Sequence, residues 1–282
     1  KDRDFLKYKF PSYFVFNLPD IWSTILPPST TGDMWKAYQF KWIENLGTSI
    51  IKNIRLLIGG QLIQEYNGDY IRCMIERDAA TKKVMFNHMT GNTTQLNQPQ
   101  LYGNTNNGKY PNAYYTSNIA GPEPSIRGRK IYIPLCPWFM FNSRLALPIV
   151  ALQYSELTIE VTLRPLKELF TINNVKSISN DNGDEAYENL LSDFYQRIQP
   201  DFSIERHSMY RFLQPPPSIE LLESDYINKT STWNIDIHII ANYAFLTPEE
   251  NKTLALNEQK YLIKDIKTYT FDNIVGTKKI KL

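Results

Sequence analysis

His88, His207 and His238 are the only imidazoles in the chain, and any histidine-centred site would have to draw on them. None has a second histidine at the roughly three-to-five-residue spacing that sets two imidazoles on one metal ion, so a paired-histidine metal centre cannot be built. The surrounding patterns place His88 at a helix end, His207 in a loop and His238 on the polar face of a strand. Gly59-Gly60 is followed by neither Lys-Ser nor a third glycine at dinucleotide spacing, which removes a phosphate loop. Asp181 with Asp184 and Glu185, or Glu249 with Glu250, could do acid and base work only if burial perturbed them. The first group lies in a polar loop and the second at a helix start, where carboxylates complement the dipole. Cys73 and Cys136 are too few for a disulfide framework or a cysteine zinc site and read as buried small hydrophobes. The expectation is a protein that is not an enzyme and uses no cofactor or metal.

Binding chemistry is nearly as sparse. Arg127-Gly128-Arg129-Lys130 is the one local basic cluster, either a contact for an acidic partner surface or a solvated loop end. Lys plus Arg number 31 against 29 Asp plus Glu, a formal charge of +2, which gives no bulk attraction to nucleic-acid phosphates. Asn-x-Thr sequons start at Asn92, Asn228 and Asn251; they matter only in a glycosylating compartment, and the abundance of Asn explains them by chance. No apolar run reaches the roughly 18 residues of a membrane span, and no signal region follows Lys1. The missing initiator Met and the strand-like ending Thr277 to Leu282 suggest a piece of something longer.

The elements that must position these groups read mainly as strands. The chain is 42% apolar, 21% charged and 13% aromatic, an ordinary globular balance whose rings suit pleated faces. Leu157, Ile159, Val161 and Leu163 alternate with polar residues, as do Trp233, Ile235, Ile237 and Ile239, giving two half-buried strands with apolar faces inward. Ile131, Ile133 and Leu135 form a third, and Ile50, Ile54, Leu56 and Ile58 a fourth with Lys52 as its exception. Tyr13 to Leu18 and Tyr38 to Ile43 are aromatic-rich candidates. Gly59-Gly60 reads as a hairpin turn between Ile58 and Gln61. Tyr70, Cys73, Met74 and Arg77 are spaced for one helix face within 69–88, and Thr247-Pro248-Glu249-Glu250 opens a connector helix to about 264 through a capping box. Two stretches, about 90–129 and 173–217, read as long surface-loop insertions. The fold class is all-β, antiparallel sheets packed face to face; the period alone does not separate a sandwich from a jelly roll.

Two blocks carry a specific resemblance. Ile43-Glu44-Asn45-Leu46-Gly47, then Ile51 to Ile63 through the Gly59-Gly60-Gln61 hairpin, then Tyr66-Asn67-Gly68-Asp69-Tyr70, resembles the first jelly roll of the major capsid proteins of nucleocytoplasmic large DNA viruses. Ile133 to Phe139, followed by Leu145 to Leu157, resembles that family's L-P-x-x-A-L-Q-Y block and the strand leaving it. Ala241 to Ile263 is similar to the family's passage out of the first jelly roll. Two departures stand out: the strand expected before Lys7 to Leu18 is missing, and the 173–217 excursion is long for a scaffold turn.

The resemblance implies the first half of a double jelly roll, with long loop insertions and short connecting helices. The first jelly roll would occupy 1–246, a connecting helix 247–268, and the start of a second jelly roll 269–282. It implies a structural protein that forms homotrimers of pseudo-hexagonal outline, contacts neighbouring capsomers and minor capsid proteins, and tiles an icosahedral shell. The virion is its expected location, with assembly in the host cytoplasm, an internal viral membrane nearby, no anchor in this chain and no direct nucleic-acid contact. Trimerisation should bury apolar loop surface, and Trp138, Phe139, Met140 and Phe141, with Arg127 and Arg129 as cationic neighbours, are the candidate interface; the rival reading of the aromatic block is a core corner. The alternatives of function are a minor or penton-like jelly-roll capsid component and a carbohydrate-binding β-sandwich using exposed rings.

Overall fold

The computed structural model describes residues 12–23, 25–26, 36–78, 80–102, 108–111, 113, 123–140, 145–152, 154–174, 196–216 and 226–269. In chain order they form β1 (Tyr13–Leu18), β2 (Ile25–Leu26), β3 (Lys36–Ala37), β4 (Lys41–Trp42), α1 (Leu46–Ser49), β5 (Ile51–Ile58), β6 (Gln61–Tyr66), α2 (Gly68–Asp78), α3 (Lys83–Met89) and α4 (Thr94–Asn97). There follow β7 (Arg129–Pro134), β8 (Leu157–Leu163), β9 (Phe170–Asn173), β10 (Arg197–Ile198), β11 (His238–Ile240) and α5 (Pro248–Leu256), with short 3-10 turns between them. Among the described residues every strand pairing is antiparallel, in sheets of order β11-β1-β7, β6-β5-β8, β10-β9-β4 and β2-β3.

Strand β1 is central to its sheet, and Phe14, Val15, Phe16 and Leu18 are all buried, so both of its faces are covered. Its register runs from Tyr13 opposite Pro134 to Leu18 opposite Arg129, which delivers Ile131 and Ile133 of β7 into the core. The β5–β6 hairpin turns on Gly59 and Gly60 at φ 58° and 80°, the paired left-handed residues that a tight hairpin turn uses and side chains resist. Lys52 ceases to be an exception here. Ile51 pairs with Leu163 and Asn53 with Thr162, so Lys52 is an extra residue in a bulge that resets the alternation and leaves it exposed.

Rings fill the centre. Phe40 stacks on Phe170 at 4.4 Å and meets Trp42 edge-on at 5.0 Å, with Phe212 tilted at 5.3 Å. Such pairs add to the burial of their own area. Tyr38, Phe40 and Trp42 all point inward, but Gln39 sits at φ 47°, so of the expected 38–43 strand only Lys41 and Trp42 join a ladder, against β9.

Several expectations change. Helix 69–88 is two helices, and α2 is rotated: Ile71, Met74 and Ile75 are buried, whereas Cys73 and Arg77 are exposed. The two isoleucines outweigh a thiol and a guanidinium in choosing the buried face. Cys136 is buried as expected. The late strand begins at His238, because Asp236 at φ 45° turns the chain before the ladder that sets His238 opposite Val15 and Ile239 opposite Phe14. Ile237 and Ile239 are 42% and 41% exposed. The connector helix keeps its full capping box between Thr247 and Glu250 but stops at Leu256, with Asn257 already extended. Beyond it Gln259, Tyr261 and Ile263 alternate as half-buried positions of an extended strap. The 90–129 stretch is more than surface loop, since Leu96 and Ile126 belong to the core. The 181–185 carboxylates and residues 270–282 lie outside the described residues, as do residues 175–195 of the second excursion.

Candidate functional site

The aromatic block that follows β7 turns inward. Trp138 and Met140 are buried, Phe139 is half-buried against the core, and Phe141 lies outside the described residues. Trp138 meets Phe139 edge-on at 5.1 Å and Tyr261 of the strap at 6.4 Å, and the Tyr261 hydroxyl donates to Ala146 O at 2.9 Å. These rings join the block to the C-terminal strap. Exposed apolar surface appears a few residues later, within the L-P-x-x-A-L-Q-Y block: Ile149 is 52% and Tyr154 98% exposed.

The basic cluster divides. Arg127 reaches out to Glu123 at 3.7 Å with both side chains mostly exposed. Gly128 has no room for a side chain, since a Cβ would lie 2.6 Å from Leu18 O; its N–H donates to Asp20 Oδ1 at 2.6 Å. Arg129 folds back to donate to His88 O at 2.7 Å, and its Nη2 lies 3.0 Å from His88 Nδ1. A cation on the last carbonyls of α3 complements that helix end, and burial lowers the Arg129 pKa below its ordinary value. Arg127 is thus exposed beside Glu123, and Arg129 holds the loop.

Sequence reasoning missed a polar cluster at the base of the second excursion. Arg197 donates to Asn173 Oδ1 (2.9 Å), Gln39 O (2.7 Å), Thr171 O (2.9 Å) and Thr171 Oγ1 (3.2 Å). Burial, with a smaller opposing effect of Tyr110, pushes its pKa down to about 10. Lys41 is also lowered, by burial and then by Arg197. Close by, Tyr110 donates to Phe40 O at 2.6 Å, and the Ser23 hydroxyl accepts from Phe40 N at 3.0 Å. The long sequence separations, 158 residues from Arg197 to Gln39, left no periodic signal from which to find this cluster. Farther on, Arg211 is buried with its guanidinium 5.3 Å from the Tyr226 ring and 5.8 Å from Tyr210.

An open cleft of about 440 Å³ is lined by Thr48, Ser49, Asp69, Arg164, Lys167 and Glu168. Its charges are of mixed sign, and Arg164 pairs with Glu168 at 3.7 Å. Among the described residues no group of three or more His, Cys, Asp and Glu side chains converges as a metal would require. No helix among them is long and apolar enough to cross a membrane. Of the sequons, Asn228 stands exposed in a turn, Asn251 is within α5, and Asn92 has its side chain bonded to Asn45 N.

Residues 20–199 match the family model described as the major capsid protein N-terminus. The chain belongs to the major capsid protein family. The resemblance read from the hairpin and L-P-x-x-A-L-Q-Y blocks is borne out. The major capsid protein of Chrysochromulina ericina virus is 26% identical across 99% of this chain and 44% of its own length. That of Phaeocystis pouchetii virus is 23% identical across 97% of the chain and 43% of its own length. The chain therefore spans less than half of these relatives. Among solved structures, the Faustovirus major capsid protein covers 58% of this chain and 39% of its own at 14% identity, with a TM-score of 0.37. At that score the overlay fixes no strand-by-strand correspondence.

Proposed function

We propose that this chain is the N-terminal half of a major capsid protein that trimerises into pseudo-hexagonal capsomers and tiles the icosahedral shell of a large DNA virus. The observation that carries the reading is the family match over residues 20–199. In this reading residues 1–246 form the first jelly roll, 247–268 the connector and 269–282 the start of the second. The buried ring core and antiparallel ladders fit a rigid building block whose chemistry is shape complementarity. Capsomer and minor-protein contacts fall on exposed loop surface, with Arg127, Ile149 and Tyr154 as contact residues and Trp138, Phe139 and Met140 shaping that surface from beneath. The protein then resides in the virion shell, is assembled in host cytoplasm, and has no direct hold on the genome.

Light scattering of the full-length protein, with negative-stain images of the same sample, tests this. Trimers of hexagonal outline are expected. A stable monomer at every concentration overturns the shell-building reading and favours a minor jelly-roll component.

A further inference from the structure

Charge is spread unevenly along this chain. Residues 79–130 hold six cations, Lys82, Lys83, Lys109, Arg127, Arg129 and Lys130, against the single carboxylate of Glu123, which leaves 25 cations and 28 carboxylates for the rest. Part of this basic stretch forms one exposed face around Arg129. Its guanidinium meets His88 of α3, and Tyr102 is close enough to favour its charged form. Val84, one turn before His88, is 84% exposed, Leu101 60%, Tyr102 50% and Met85 40%. Lys83 at the start of α3 lies 2.9 Å from Glu76, and Arg127, two residues before Arg129, lies 3.7 Å from Glu123; both cations remain largely exposed. Apolar side chains left in water among cations mark a surface that a partner covers. Such a partner brings carboxylates for the cations and apolar groups for Val84 and Leu101.

The same chain carries that combination in its sequence. Residues 175–196 hold Asp181, Asp184, Glu185, Glu188 and Asp193 against Lys176 alone, with Tyr187, Leu190, Leu191 and Phe194 interleaved among them. We infer that a second copy of this chain docks its acidic 181–194 stretch on the basic apolar face formed by α3, Leu101-Tyr102 and the approach to β7. Face and stretch are different surfaces, so the contact is head-to-tail, the kind that closes into a ring. A nucleic acid would leave the apolar side chains uncovered, and a lipid surface would leave the acidic stretch unmatched. The inference rests on the trimeric reading and names one of its contacts.

Subunit exchange between differently labelled trimers of the full-length protein tests it. Lys83→Glu with Arg127→Glu, and separately Asp184→Lys with Glu188→Lys, should each speed exchange at least about tenfold or abolish trimers. All four changes in one chain should return the rate to within about threefold of wild type, because a reversed face then meets a reversed stretch. Circular dichroism checks that each variant folds. Should a reversal unfold the chain, salt on the wild type decides: going from about 0.05 M to about 0.5 M should speed exchange about tenfold, and no change overturns the inference. Reversals that leave exchange unaltered overturn it while the proposed function stands, as does a four-change chain that stays as weak as either reversal. Binding to phosphatidylserine vesicles that the face reversal abolishes, with trimers unaltered, identifies a lipid surface and overturns it too. A wild-type protein that forms no trimer at any concentration sinks the proposed function and this contact with it.

Discussion

Arg197 is a half-buried cation among neutral oxygens, and removing it should loosen the contacts among Gln39, Thr171 and Asn173. Its four hydrogen bonds, to Gln39 O, Thr171 O, Thr171 Oγ1 and Asn173 Oδ1, are charge-assisted. At about 1.5 kcal/mol each they amount to about 6 kcal/mol. Against this stands the cost of burying the guanidinium, whose pKa is pushed down to about 10 chiefly through burial. At about 1.4 kcal/mol per pH unit that is roughly 3 kcal/mol, less after screening by the solvent its exposed part still meets. Arg197→Met recovers the cost and forfeits the bonds, so it should destabilise by about 3 kcal/mol. Arg197→Lys keeps a half-buried cation without the planar fork that serves three residues at once, and should lose nearly as much. The assay is urea unfolding of both variants, with amide exchange read at 39–42 and 170–173. A lysine variant within about 0.5 kcal/mol of wild type, or a methionine variant losing less than about 1 kcal/mol, would refute the fork reasoning.

Gly68→Ala places a Cβ against the Thr48 carbonyl and should cost about 3 kcal/mol or abolish soluble expression, whereas Gly60→Ala meets open space at φ 80° and should cost about 1 kcal/mol, both read by urea unfolding. Thr247→Ala removes one side of the capping box and should speed amide exchange within α5 at a cost of about 1 kcal/mol, leaving β1 unchanged. Burial raises the Tyr66 and Tyr110 hydroxyls above their ordinary value of 10. Their neutral forms are favoured in the folded state, so their contribution is intact below about pH 10 and is lost as pH rises, by about 1.4 kcal/mol per pH unit for each tyrosine. Absorbance at the phenolate band should show two tyrosines ionising only with unfolding; ionisation in the folded protein would count against their burial.

Where local period and backbone demand coincide, the sequence was enough. Leu157 to Leu163 alternates without interruption and is a strand over those same residues, and Gly59-Gly60 can hardly do anything but turn. The connector helix began where Thr247 and Glu250 put it, but its end was misread, since Tyr261 and Ile263 fit an extended strap as readily as a helix face. The candidate contact surface was less legible. Trp138 and Met140 are apolar in a proline-bounded block whether they face a partner or the core, and the strap residue Tyr261 that meets Trp138 lies 123 positions away. Arg197 escaped notice because its partners are backbone carbonyls, which every residue carries and no pattern distinguishes.

The single left-handed residue at Asp236 has a consequence for how this stretch of the molecule can change over generations. Upstream of it, Trp233 and Ile235 answer to the ring cluster around Phe16 and Trp42, and substitutions there are judged by the core. Downstream, the register sets Ile239 opposite Phe14 and Ile240 opposite Tyr13, so substitutions there are judged by their ladder partners on β1. Neighbouring positions of one short segment should therefore drift in separate company: 233 and 235 in step with 16 and 42, and 239 and 240 in step with 14 and 13.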